Sequence, residues 1–199
     1  WERHCNDLYA AVHFVKSSGR YRLFAAGNLG KGDFNVYRMF VETALAATRD
    51  NRVAAQFVPE GLYNGANATA IRRELFSNFH LSHLAGFENT KGIWFDKIDT
   101  RMKFCLYTAW KGGRTEELYS AFRVNSLEKL QAFMAGGALR IPVSVVEEFS
   151  PEAVAVMEFA AQSEIDICAR MYARYPKFGV EVDDLPYRHY MREVDMGTD

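Results

Sequence analysis

The stretch RVAAQFVPEGLYNGANATAIRRELFSNFHLSHLAGF, residues 52–87, decides the fold. Its apolar opening, 52–58, is closed by Pro59 and fits a strand buried on both faces. The Gly- and Asn-rich segment 60–68 reads as loop. TAIRRELFSNF (69–79) sets Ile71, Leu75 and Phe79 along one side of a helix. LSHLAGF (81–87) is a second short apolar run. Strand, helix and strand in that order imply an α/β sheet with parallel strands.

Working outward, Val36, Phe40, Val41, Ala44, Leu45 and Ala47 give an apolar helical face, with Asp33 as the expected cap. Residues 17–33 read as loop. Gly27, Gly30 and Gly32 lie there as G-x-x-G-x-G, spaced unlike the dinucleotide fingerprint and following no clear strand. Downstream, KFCLYTAW (103–110) reads as a third strand, reached through a long irregular connection. The pattern changes after Gly112-Gly113. AFRVN (121–125) reads as a strand, and Ser126 is the expected cap of a helix that runs to Met134 and ends at Gly136-Gly137. Ser163 opens S-E-I-D, a capping-box-like start to a helix ending before Pro176. No periodicity assigns residues 151–160 or the charged, aromatic tail from Lys177.

With 49% hydrophobic residues and 15 Phe, the chain has material for a sizeable core. No run approaches the roughly 18 apolar residues of a membrane span, and the polar N-terminus is unlike a secretory signal. Cys5, Cys105 and Cys168 are odd in number and widely spaced, as expected of free thiols in a reducing cytoplasm. Net charge is −1, so any attraction to nucleic acid must be local. Residues 91–114 hold six basic side chains against two acidic ones. Such a stretch either faces phosphates or is a solvated loop paired with Asp96 and Asp99. There is no G-x-S-x-G elbow, phosphate loop or H-E-x-x-H site. His80 and His83 are three apart but have no Cys or carboxylate pattern nearby, so no metal is expected.

Several short strings occur in a fixed order: Trp1-Glu2-Arg3, GDFNVYRMFVE (32–42), FVPEGLYNGANATAIRRELF (57–76) and FENTKGIWFDKIDTRMKFCLYTAWKGG (87–113). They are followed by FSPEAVAVMEF (149–159), ARYP (173–176) and REVDMGTD (192–199). In this order the chain resembles the Asn-Pro-Pro-aromatic, adenine-specific DNA methyltransferases of restriction–modification and phage-defence systems. The resemblance implies the C-terminal half of a Rossmann-like, S-adenosylmethionine-dependent methyltransferase domain at 1–113. Its sheet would be mixed, with one antiparallel strand, 103–110, inserted between 52–58 and 81–87. Residues 114–199 would be a mixed α/β connector toward a target-recognition domain.

The implied activity is methyl transfer from S-adenosyl-L-methionine to the exocyclic amine of an adenine flipped out of double-stranded DNA. Trp1 would stack on that base, with Trp94 or Phe95 as the opposite wall. Lys91, Lys97, Arg101 and Lys103 would contact phosphates, which position a duplex without reading its sequence. Asn35 and Tyr37 would fix the loop after the catalytic motif, and Glu88-Asn89 carries no assigned step. A nuclease, fused or separate, is an expected partner, and no membrane is. The Asn-Pro-Pro and the glycine-rich cofactor loop lie outside this sequence, so the chain alone is expected to be inactive. Two rival readings stay open: a non-catalytic nucleic-acid-binding module, and a different α/β enzyme with its site at residues 80–104.

Overall fold

The computed structural model describes residues 1–27 and 35–175. Five strands form one mixed sheet: β1 (Val53–Pro59), β2 (Phe79–Glu88), β3 (Lys103–Lys111), β4 (Glu117–Val124) and β5 (Leu139–Pro142), in the order β1-β3-β2-β4-β5. β3 lies between β1 and β2 and runs antiparallel to both, as the resemblance implied. The register sets Pro59 opposite Phe104 and Glu88 opposite Lys103. β4 pairs parallel with β2, and β5 antiparallel with β4. Two strands, β3 and β5, therefore run against the others, not one. Two of the five strands come from the stretch expected as a connector.

Side chains alternate across a strand, which gives the sheet two faces. On one, Ala54, Val58, Leu84, Cys105, Tyr107 and Leu118 enter the main core. α3 (Tyr37–Ala47) covers it with Val41 and Leu45, and α5 (Thr69–Asn78) with Ile71, Leu75 and Phe76. α7 (Val143–Phe149) and α8 (Gln162–Arg174) add Val146 and Ile165. On the other face, Ala85, Phe87 and Val124 form a smaller cluster, joined by Leu130 and Phe133 of α6 (Leu127–Met134). β1 departs from expectation. Val53 and Phe57 are 51% and 61% exposed while Ala54 and Val58 are buried, because β1 is an edge strand covered on one face only among the described residues.

Local signals account for some helix ends and not others. Ser126 accepts from the Lys129 amide at 3.3 Å, and Gly136 takes the left-handed conformation (φ 96°) after α6, as the sequence predicts. Asp33, the expected cap of α3, and the tail from Lys177 lie outside the described residues. The N-terminal segment forms helix α1 (Glu2–Ser17), and part of the expected loop 17–33 forms α2 (Arg22–Gly27). The first amides of α2 are held by a distant side chain: the Glu42 carboxylate accepts from Leu23 and Phe24 at 3.0 and 2.9 Å. α8 starts one residue before Ser163, at Gln162, and Glu164 reaches back to accept from the Ala160 amide at 2.7 Å.

Segment 60–68 also departs from the loop reading, forming the single turn α4 (Gly61–Asn64) and a 3-10 turn at Ala66–Ala68. Arg72 explains why. It is 2% exposed, and its guanidinium donates to the carbonyls of Leu62, Gly65, Ala153 and Val154 at 2.7–2.9 Å. Carbonyls that loops would turn to water are thus satisfied inside, and the unassigned segment 151–160 is tied to α5. Burial pulls the Arg72 pKa down to about 10, against the opposing influence of Tyr37. Val154 sits at φ 51°, a conformation strained for a β-branched residue, and its carbonyl is one of those Arg72 holds.

Candidate functional site

β1, β2 and β4 end on one edge of the sheet, where β3 begins. Consecutive residues there point to opposite faces. Phe87 and Phe104 go to the side of the smaller cluster and stack with ring centres 5.1 Å apart and planes 1° from parallel. Phe57 of β1 tilts against both, at 5.9 and 5.8 Å. The connection 89–102 folds over this stack. Trp94 meets Phe87 edge-on at 5.3 Å and donates its Nε1–H to the Val124 carbonyl at 3.1 Å. Phe95 meets Phe104 edge-on at 5.1 Å and stays 47% exposed. The result is a wall of five aromatic rings, anchored by Trp94 and open at Phe57 and Phe95.

The neighbouring residues Glu88 and Lys103 point to the opposite face and build a charged rim. Lys103 Nζ lies 3.4 Å from Glu88 and 3.3 Å from Glu158. Glu158 also accepts from Tyr63 Oη at 2.7 Å and lies 3.4 Å from Arg123 Nε. Burial pushes the Glu158 carboxyl upward, but the Tyr63 bond together with Lys103 and Arg123 outweighs it and holds the pKa below the usual range. Burial likewise lowers Lys103, and the bonds and charges of Glu158 and Glu88 more than reverse this.

The site residues expected from the sequence fall into three groups. Trp94, Phe95 and Lys103 come together at this edge. Lys91 and Lys97 are exposed on the connection, and Arg101 is exposed but binds Asp99 at 2.6 Å, so part of the basic stretch is neutralised locally. Trp1 is 94% exposed at the start of α1, a helix with no buried residue, and is not packed against the aromatic wall. Of the residues given no step, Glu88 holds Lys103. Asn89 is fully buried and holds the connection itself through four side-chain hydrogen bonds. The Glu-Asn pair was visible in the sequence, but nothing local to it signals burial.

Beside the rim, at the end of β1, lies an open cleft of about 450 Å³ lined by Asn35, Tyr37, Glu60, Asn67 and Met102 among others. Burial raises the Tyr37 hydroxyl pKa to about 12. Among the described residues, no three or more metal-ligating side chains gather, and no helix is long and apolar enough to cross a membrane.

No protein-family model matches this chain, and no curated protein does. Among solved structures it is similar to a type I restriction–modification methyltransferase subunit from Streptococcus thermophilus, at 16% identity and a TM-score of 0.49 over 70% of this chain and 33% of that one. A type I restriction–modification assembly aligns at 15% identity and a TM-score of 0.46, over 74% and 38%. The type IIG restriction endonuclease BpuSI aligns at 21% identity and 0.39, over 55% and 13%. The chain thus spans about a third of the length of the first two.

Proposed function

We propose that this chain is the second part of a DNA methyltransferase domain that acts on an adenine flipped out of the duplex, and that its own share of the work is to receive the base. The observation that carries this is Phe95. A large ring stands half uncovered at a sheet edge, on a segment otherwise pinned by hydrogen bonds and ring contacts. An extruded base loses its stacking, at a cost of a few kcal/mol, and an aromatic face returns part of it. Of the two rings on the connection, Trp94 is committed to Val124 and Phe87, so Phe95 is the one assigned to stack. Trp1 is assigned the opposite side, a role that requires α1 to dock where it can meet the base.

Among the described residues, we assign none to an S-adenosylmethionine cradle. The cleft beside β1 is open and, among the described residues, its lining offers a single carboxylate, Glu60, with Gly61 and Gly65 at the two ends of α4. The cofactor and the amine-binding Asn-Pro-Pro are therefore assigned to residues outside this chain, and no methyl-transfer step is drawn through the described ones. Phosphate contact falls to Lys91 and Lys97, since Arg101 and Lys103 are already engaged.

Single-turnover methylation of duplex DNA by the full-length protein tests the reading. Phe95→Ala and Trp1→Ala should each slow methyl transfer about tenfold while changing DNA affinity little, because stacking acts on the flipped base and phosphates carry most of the affinity. Trp1→Phe should recover much of the rate. Unchanged methylation in both alanine variants would end the assignment of these rings to the base.

A further inference from the structure

The connection 89–102 has almost no regular structure to fix its shape. It contains one 3-10 turn, Thr90–Gly92, with Lys91 and Gly92 in the left-handed region (φ 56° and 70°). What fixes it is Asn89. The side-chain Nδ2 donates to the Phe95 and Ile98 carbonyls at 2.8 and 3.1 Å, and Oδ1 accepts from the Trp94 and Phe95 amides at 3.2 and 3.0 Å. An Asn side chain offers two donors and two acceptor lone pairs, so this carboxamide is used to capacity. Phe95 is the one residue it grips twice, by N–H and by C=O. The backbone of Asn89 adds bonds to Met102 and Gly92. A structural clip would serve equally well by holding any two points of the connection. Here the double grip falls on Phe95, the ring of the connection that joins the aromatic wall and stays half exposed.

We propose that Asn89 is a positioning residue that sets the Phe95 ring for the extruded base. This rests on the reading of Phe95 as the stacking ring. The carboxamide fixes both peptide groups of Phe95, and Phe104 limits its ring, so the stacking face is already in place when the base arrives. Asn89→Asp is nearly the same size and keeps the two acceptor contacts. It loses both donors and sets a carboxylate oxygen against the Phe95 and Ile98 carbonyls, which releases that side of the grip.

The experiment is single-turnover methylation by the full-length protein carrying Asn89→Asp, Phe95→Ala or both, on a paired target adenine and on one placed in a mismatch. Asn89→Ser replaces the aspartate if that variant does not fold. Asn89→Asp should lower the rate about tenfold with DNA affinity unchanged, and the double variant should be no slower than Phe95→Ala, because residues acting as one unit are not additive. A mismatched adenine costs less to extrude, so the Asn89→Asp defect should shrink on that substrate. A defect in Asn89→Asp that adds fully to that of Phe95→Ala, or is equal on both substrates, would overturn the positioning role while leaving the stacking reading in place. If Phe95→Ala alone has no effect, the stacking reading falls, and the positioning role falls with it.

Discussion

Phe95 keeps 47% of its surface exposed, while Trp94, one residue earlier, commits its indole N–H to Val124. The sequence step Ile93-Trp94-Phe95 does not separate these roles, because both rings suit a pocket wall. What separates them is a carbonyl on β4, distant in sequence. The basic residues divide in the same way. Lys91 and Lys97 are exposed and, among the described residues, form no ion pair at the distances seen for Arg101 and Lys103, and composition treats all four alike. Removing Lys91 and Lys97 together should therefore reduce the slope of log affinity against log salt by nearly 2, about 0.9 for each phosphate no longer neutralised. Removing Arg101 should change it much less. A titration of duplex binding across a salt series decides between them; equal slopes for all variants would refute the division. Glu158 supports a pH prediction. Its folded pKa is depressed, so its contribution to stability is present above the ordinary carboxylate value of about 4.3 and is lost as pH falls through the folded value. Glu158→Gln should remove that part of the acid dependence, leaving a flatter stability profile below about pH 5 in denaturant titrations.

Among the elements, the strands were the most legible. Short apolar runs locate β1, β2 and β3 to within a residue or two, with Pro59 closing the first, while β5 has no counterpart in the sequence reading. The antiparallel insertion of β3 came from the family resemblance, since alternation of strand and helix does not specify it. α2 and the α4 turn were not legible. The carboxylate that caps α2 belongs to Glu42 of α3, and the carbonyls of α4 are satisfied by Arg72 of α5. Local composition, rich in Gly, Ser and Asn, therefore pointed to loop. The Arg72 clamp should be expensive to lose. Arg72→Met takes a donor from four carbonyls; that of Gly65 still accepts from the Ala68 amide, and each of the others costs roughly 1–3 kcal/mol if it finds no water. Urea unfolding should show a loss of about 3 kcal/mol, allowing for partial resolvation. Arg72→Lys should recover little, since an ammonium cannot reproduce the planar fork of donors. A loss below about 1 kcal/mol would mean that these carbonyls rehydrate readily.

At the scale of the whole molecule, the described residues bury a main core on one face of the sheet and a smaller cluster on the other, yet present only part of the chemistry proposed for the chain. Calorimetry with S-adenosylmethionine should detect weak or no binding to residues 1–199, and mixed-sequence duplex DNA should remain unmethylated, because part of a pocket cannot preorganise the reacting atoms. Micromolar affinity or clear turnover would refute the division of the site. The sheet itself has a practical consequence. β1 leaves one row of backbone amides and carbonyls unclaimed by any described strand, beside Val53, Phe57 and Trp110, which are 51%, 61% and 48% exposed. An unpaired edge next to apolar surface is a template for joining other chains. Prepared by itself, this polypeptide should self-associate as its concentration rises, which sedimentation velocity would register as a growing weight-average mass. Gln56→Lys together with Phe57→Lys should keep it monomeric, since charge on an edge strand is how natural sheets stay apart.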